Sequence, residues 1–269
     1  MKPTYFSQFQ VLFRIVRVFV VRELREQYAG TLLGGAWAFL QPLLLVLIYW
    51  WVFGVIWALR VPALHREGEG YPFVIFLLAG FLPWLAFQEA VNKSAMAVIQ
   101  RAEVLRQGAF PVVAFPLAKC VATHAVFSIL MLGYLVTLPQ LPALFLTGAV
   151  VFLILLYLLQ LLFAVGVGLF VAALTVYVRD LPHLLGMFMT ALLFLVPILY
   201  PLSQVPAGFR PWIWVNPYTP FATGFQGLIL EQAIPPWEVW AYASGLAIFS
   251  TLLGGYIFRR LRPGFADVV

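Results

Sequence analysis

LFLTGAVVFLILLYLLQLLFAVGVGLFVAALTV, residues Leu144–Val176, runs for thirty-three residues without Asp, Glu, Lys, Arg or His. About 20 apolar residues in a helix cross the roughly 30 Å of a bilayer's hydrocarbon. Only a structure that satisfies its own backbone polar groups can do so, which makes this stretch a spanning helix. Its surplus length allows tilt or protrusion. Five further segments read the same way: Gly34–Trp57, Pro72–Ala90, Val112–Leu135, His183–Tyr200 and Trp237–Phe258. The fold class expected is therefore an all-α membrane protein with six transmembrane helices.

Composition agrees. Of 269 residues 64% are hydrophobic and 10% charged, too few charges to cover a water-soluble core. A soluble enzyme, a nucleic-acid-binding protein and a disordered chain are all excluded. The net charge of +6 belongs to loops rather than to a nucleic-acid surface. With six spans, thirteen of the sixteen Lys and Arg residues fall on the side of the termini; Arg60, Arg66 and Arg210 remain on the other. By the positive-inside rule both termini are cytoplasmic. A single cysteine, Cys120, and three scattered histidines, His65, His124 and His183, supply neither a disulfide nor a metal-ligand set.

Ahead of the first span, residues 1–33 do not form a signal peptide, because Arg14, Arg17 and Arg22 break the apolar stretch. Phe6, Phe9, Phe13, Val16, Val20 and Leu24 recur at helical steps, the pattern of an amphipathic helix lying in the headgroup plane. The plainer alternative is a basic flank that only sets topology. Gly30 and Gly34 match a small-xxx-small packing motif. Within the remaining spanning domain, residues 34–269, two connections stand out. Residues 91–111 carry Ala95, Val98, Ile99 and Leu105 among Arg101, Glu103 and Arg106, which suits a short amphipathic helix ended by Gly108; a solvated loop is the alternative. Between Pro197 and Pro236 lie eight of the nineteen prolines, with Phe209, Trp212, Trp214, Tyr218, Phe221 and Phe225. A straight span would not tolerate those prolines, and a water-exposed loop would not carry those aromatics. Short re-entrant or interfacial helices over residues 201–236, broken at Asn216-Pro217, reconcile the two. An aromatic belt at the membrane surface is the competing reading.

Aromatic side chains make up 17% of the chain, and Tyr49, Trp50, Trp51, Phe53 and Trp57 crowd one half of the first span. Such faces stack on C–H-rich sugar rings, although each could equally be a lipid-facing belt residue. No GxxxxGK[ST] phosphate loop is present. Apart from His124 and Lys119 no acidic or basic side chain sits mid-span, where a proton-coupled carrier would need one. Neither inverted repeats nor a 20–50-residue period is evident. Energy for transport has to come from another polypeptide.

ELREQYAGTLLGGAWAFLQPLL at Glu23–Leu44, NKSAMAVIQRAEVLRQGAFPVVAFPLAK at Asn92–Lys119 and VYVRDLPHLL at Val176–Leu185 follow one another in order. PILYP at Pro197–Pro201, NPYTPF at Asn216–Phe221 and FRRLRPGFAD at Phe258–Asp267 complete the series. Together they resemble the permease subunit of type-2 ATP-binding cassette exporters, in the polysaccharide-export branch, over nearly the whole chain. The resemblance implies a homodimer with two separate ATPase subunits, which would bind the ATP and magnesium, so that this chain carries no catalytic residue, metal or cofactor. It implies a coupling surface at Arg22, Arg25, Arg101, Glu103, Arg106, Arg179 and Asp180. It further implies a polysaccharide channel lined by Tyr49, Trp50, Trp51, Phe53 and Trp57, with the first and fifth spans flanking a lateral opening. Periplasmic gate helices would carry Trp212, Trp214, Asn216, Tyr218, Phe221 and Phe225. In the family an arginine often follows the NP motif; Phe225-Gln226 stands near that place here, which removes a charge-based contact with substrate. The implied role is export of lipid-linked polysaccharide across a bacterial inner membrane, O-antigen of lipopolysaccharide first, with capsular polysaccharide or teichoic acid as the alternatives. From other classes, a membrane-embedded acyl or glycosyl transferase using His124 as base competes, as does a secondary carrier.

Overall fold

The computed structural model describes residues 5–26, 30–56, 60–62, 70–106, 111–139 and 141–268, with side chains for all of these except 5–9, 60–62, 70–71 and 105–106. Helices dominate. The α-helices are α1 (Tyr5–Glu26), α2 (Trp37–Tyr49), α3 (Phe73–Ala95), α4 (Ala102–Arg106), α5 (Ala114–Thr137), α6 (Leu141–Leu146), α7 (Ala149–Tyr177), α8 (Leu181–Leu195), α9 (Arg210–Val215), α10 (Thr219–Gln226), α11 (Trp237–Leu261) and α12 (Phe265–Val268). A short antiparallel hairpin, β1 (Arg60–Pro62) against β2 (Gly70–Pro72), leads into α3, with Val61 opposite Tyr71.

Five helical stretches are long and apolar enough to span a membrane: Gly34–Ile56, Phe73–Ala95, Ala114–Thr137, Ala149–Tyr177 and Trp237–Val268. The expected fifth span is shorter. At Leu181–Leu195 it has 15 residues, about 22 Å of helix, and then turns extended at Val196-Pro197, where proline disfavours a helical residue before it. The fourth span begins later than Leu144, because Gly148 takes a left-handed φ of 71° and separates α6 from α7. The second runs on to Ala95, so Asn92 to Ser94 belong to α3 rather than to the connection.

Gly30 and Gly34 do not pack helices. Both have positive φ, 81° and 49°, and no atom lies within 4 Å of where a Cβ would stand on either. They turn the corner from α1 into α2.

Two helices form the closest seam. A Cβ on Gly254 of α11 would run into the carbonyl of Gly166 on α7, and one on Gly166 into the Ser250–Thr251 backbone. Absent side chains let the backbones meet, and Thr251 Oγ1 donates across to the Leu162 carbonyl (3.0 Å), the small-residue packing typical of membrane helices. α3 packs on α5, α7 and α10 at the centre, with Leu77, Phe81 and Trp84 wholly or almost wholly buried. In α2, by contrast, only Pro42 and Val46 are buried.

A second, smaller core lies where α7 and α11 end. Val98, Phe115, Val176, Phe258 and Phe265 share it, with Phe19 of α1 packed alongside. Both ends of the chain's described part therefore meet at one end of the bundle, the terminal end. Since α7 and α11 both finish there, the chain between them travels to the far end and α11 returns. α8 and residues 196–236 make that outward passage.

Candidate functional site at the two ends of the bundle

At the terminal end α1 has three sides. Leu12, Ile15, Val16, Phe19 and Glu23 are its more covered positions, Phe13 (65% exposed) and Leu24 face outward, and Arg14, Arg17, Arg22 and Arg25 are exposed. The covered side docks on α5: Phe19 meets Phe115 edge-on at 5.3 Å, and Lys119 Nζ donates to Glu23 Oε1 at 2.5 Å. That pair is mostly shielded, 11% and 15% exposed, so each ion relies on the other for solvation. A turn further on, Glu26 accepts from Arg22 Nε (2.6 Å) and from Arg101 Nη2 (2.8 Å). These bonds, from Arg22 first and Arg101 second, hold the Glu26 carboxyl below the usual range. The Arg101 guanidinium also sits 5.8 Å from the Phe19 ring centroid. α1 is thereby clasped to α5 and to the connection that carries Arg101.

The expected connection helix exists as a 3₁₀ turn, Ile99–Arg101, running into α4. Arg101 points back to α1 instead of outward. Glu103, Arg179 and Asp180 are exposed, as are Arg22 and Arg25; of Arg106 only the backbone is described. The apolar stripe predicted for α1 is present at Phe13, Val16, Val20 and Leu24, while Phe6 and Phe9 lie outside the described side chains. What composition could not separate is lipid from protein: the docking side, centred on Phe19 and Glu23, lies roughly a quarter turn from that stripe.

The Asn216–Tyr218 break lies at mid-depth, beside the central residues of α3, α5 and α7, and is held by uncharged groups. Asn216 takes an extended conformation between α9 and α10, and its Oδ1 accepts from the Tyr218 N–H (3.0 Å), an Asx turn that fixes the break before the proline. Tyr218 is fully buried. Its ring lies edge-on to Trp84 at 4.8 Å and against Phe87 at 5.1 Å, and its hydroxyl donates to Gln160 Oε1 (3.2 Å). Gln160 Nε2 donates to the carbonyl of Pro83 (2.8 Å) and faces His124 Nε2 at 3.5 Å. His124 Nδ1 donates to the Cys120 carbonyl (3.0 Å), which leaves Nε2 as the acceptor for Gln160. One amide thus joins α3, α5, α7 and the Asn216–Tyr218 break. A second, Gln226, donates to the Pro197 carbonyl (2.9 Å) and ties α10 to the end of α8. Such cross-links are how membrane helices accommodate proline.

The break at Asn216-Pro217 is where the sequence put it. Tyr218, Phe221 and Phe225 are core residues; Trp212 is 73% exposed and Trp214 half-buried. In the first span Tyr49 and Phe53 turn toward α3, against Phe81 (5.1 Å) and Phe73 (5.1 Å), while Trp50 and Trp51 face outward. Trp57 lies outside the described residues. Gln160 joins the middle of the bundle and Glu23 its terminal end, and neither stood out beforehand. The only signal was polarity out of place: an amide in the middle of the longest apolar run, and an acid among arginines.

Residues 14–230 match the ABC-2 type transporter family. The chain is 29% identical over 252 residues to the O-antigen export system permease protein RfbA of Myxococcus xanthus, covering 93% of each chain. It is 24% identical over 265 residues to a Klebsiella pneumoniae protein of the same description, covering 96% of each. The polysialic acid transport protein KpsM of Escherichia coli is 26% identical over 225 residues, 78% of this chain and 79% of that one.

Proposed function

The chain belongs to the ABC-2 type transporter family, and from that premise we propose that it is the membrane permease of an ATP-driven exporter of lipid-linked polysaccharide. O-antigen is the first choice of cargo, since the relatives aligned over more than nine-tenths of both lengths bear that name; capsular polysaccharide is the second. In this reading six crossings, with α8 and its extended continuation as the fifth, place both termini in the cytoplasm of a bacterial inner-membrane protein, consistent with the positive-inside count. Two copies assemble with two ATPase subunits. The sparsely buried faces of α2 and α8, with Leu44, Leu47, Trp51, Met187 and Phe188 exposed, border the opening through which cargo enters, and Trp50 and Trp51 remain its wall residues.

The observation that carries the mechanism is the clasp. A partner that binds ATP needs something rigid to push. Arg101, Glu26, Glu23 and Lys119 connect the short Ile99–Arg106 segment to α1 and to α5, so displacement of that segment moves a span. Arg22, Arg25, Glu103, Arg106, Arg179 and Asp180 form the remaining contact surface for the ATPase. The short helices α9 and α10 act as the periplasmic gate.

A transferase that uses His124 as base finds no support in the geometry, because both ring nitrogens are already engaged by Cys120 and Gln160. The test is reconstitution. Purified with its ATPase, the complex hydrolyses ATP and moves polymer, whereas the chain alone does neither. Arg101→Ala combined with Arg106→Ala uncouples hydrolysis from export, and Glu26→Gln partly reproduces that defect. Unimpaired export in the double variant would overturn the coupling role.

A further inference from the structure

Resting on the export reading, we infer that a polar stripe on α3, made by Gln88, Glu89, Asn92 and Lys93, lines the water-filled path of the cargo and bonds to the hydroxyls of passing sugar units.

The stripe begins in the sequence. Gln88 and Glu89 stand three and four positions before Asn92 and Lys93, which puts all four on one face of a helix. A span that ended at Ala90 would leave Asn92 and Lys93 outside it; α3 runs on to Ala95 and takes them in. Each of the four is half-buried, whereas Phe87, Ala90, Val91, Ser94 and Ala95 beside them are buried. α5, α7 and α10 pack on α3 and cover that buried side. α2 and α8 also touch α3, and the stripe is the side of α3 left to the opening that those two helices border.

Its depth follows from two contacts. Ser94 Oγ lies 3.2 Å from Cys120 Sγ, and Cys120 adjoins Lys119, whose bond to Glu23 holds the interfacial helix α1. From the level of Ser94, Glu89 stands about 8 Å and Gln88 about 9 Å further toward the middle of the bundle. Polar groups at such depth face a bundle interior or a water-filled cavity, because exposure to hydrocarbon is costly. Glu89 and Lys93 pair with each other, yet their side chains keep 35% and 22% exposure. The Gln88 amide has no hydrogen bond among the described residues, and Asn92 Oδ1 is enclosed without one. Polar groups left unsatisfied within a chain take their partners from outside it.

The chemistry of the stripe selects what passes. The charges of Glu89 and Lys93 cancel, and carboxylate and amide acceptors stand beside amide and ammonium donors. Sugar hydroxyls both donate and accept, so such a wall serves each unit in turn, with no uncompensated charge to hold one back. A lipid tail could use none of these groups.

The test places single cysteines in the full chain, made together with its ATPase, and treats inverted membrane vesicles with a charged, membrane-impermeant methanethiosulfonate. Cys120 is completely buried, so the unaltered chain stays silent. Leu252→Cys is the lipid-facing control: Leu252 is 67% exposed and lies near the level of Glu89, since Ser94 meets Gly168 and Gly166 meets Gly254. Gln88→Cys and Glu89→Cys react about tenfold or more faster than Leu252→Cys, because a thiolate forms in water and not in lipid. In vesicles from cells that make the polymer both react about threefold or more slower than in vesicles from cells blocked in its synthesis. A maleimide added after denaturation counts total thiol, which separates an unreactive site from a chain that failed to insert. Rates equal to that of Leu252→Cys would overturn the proposal, the stripe then being sealed by lipid or by a second copy; rates indifferent to polymer would overturn its contact with cargo. The export reading fails separately, if cells that lack this chain still display the polymer.

Discussion

The terminal end of the bundle and its middle are fastened by opposite chemistries. At the terminal end, α1 is held by ions, Glu23 to Lys119 and Glu26 to Arg22 and Arg101, over an edge-on aromatic contact. At mid-depth, uncharged amides and hydroxyls join four parts of the chain inside a packed aromatic cluster. The difference is one of how easily each can let go. The exposed Glu26 pairs form and release at modest net cost, because hydration replaces what is lost, whereas Glu23 and Lys119 are shielded and hold more firmly. A hydrogen bond buried among rings has no such substitute, so it fixes position. The exposed contacts at the terminal end can therefore exchange, while the break at mid-depth is held in place.

The sharpest way to break the contrast is Tyr218→Ala. It empties a fully buried site beside Trp84, Phe87 and Phe221 and strips Gln160 of a partner, with an expected loss of about 3–5 kcal/mol. Thermal unfolding in detergent reads it, and Tyr218→Phe recovers most of it. A change under about 1 kcal/mol would mean the cluster does not hold the break in place.

Next in size is Lys119→Ala, which leaves Glu23 shielded without its ion and costs about 2 kcal/mol, less than a fully buried pair would because both groups keep some exposure. Replacing both, Lys119→Met with Glu23→Leu, restores stability while the clasp stays lost. A double variant less stable than Lys119→Ala would refute this account.

Smallest is Glu26→Gln, whose effect is electrostatic and exposed. Its folded carboxyl titrates below the ordinary value, so the contribution is complete above that value and disappears as pH falls through the lowered one. Amide hydrogen exchange along α1 should differ between the variant and the parent near pH 7, and the difference should vanish once acid has protonated the folded Glu26 carboxyl. Equal protection near pH 7 would remove Glu26 from the clasp.

Much of this arrangement could be read from the residues in advance. Length and hydropathy located five spans, with ends within about five residues, and the break at Asn216-Pro217, because both depend on local chemistry. The fifth apolar helix came out shorter, since a proline outweighed hydropathy at residue 197. What escaped was everything decided by meeting distant residues. Gly166 and Gly254 are unremarkable until their backbones touch. Gln160 looks like an interruption until Pro83, His124 and Tyr218 converge on it. Arg101 binds Glu26 within the chain, seventy-five positions away.

Phe265, three residues before the last one described, is completely enclosed between Phe258 and Tyr177, and the Tyr177 hydroxyl donates to the carbonyl of Leu261 (2.9 Å). The tail thus acts as a cork in the floor of the bundle. Clipping or fusing cargo directly at Ala266 would loosen the α7–α8 corner from beneath, so a detection tag belongs beyond a flexible spacer.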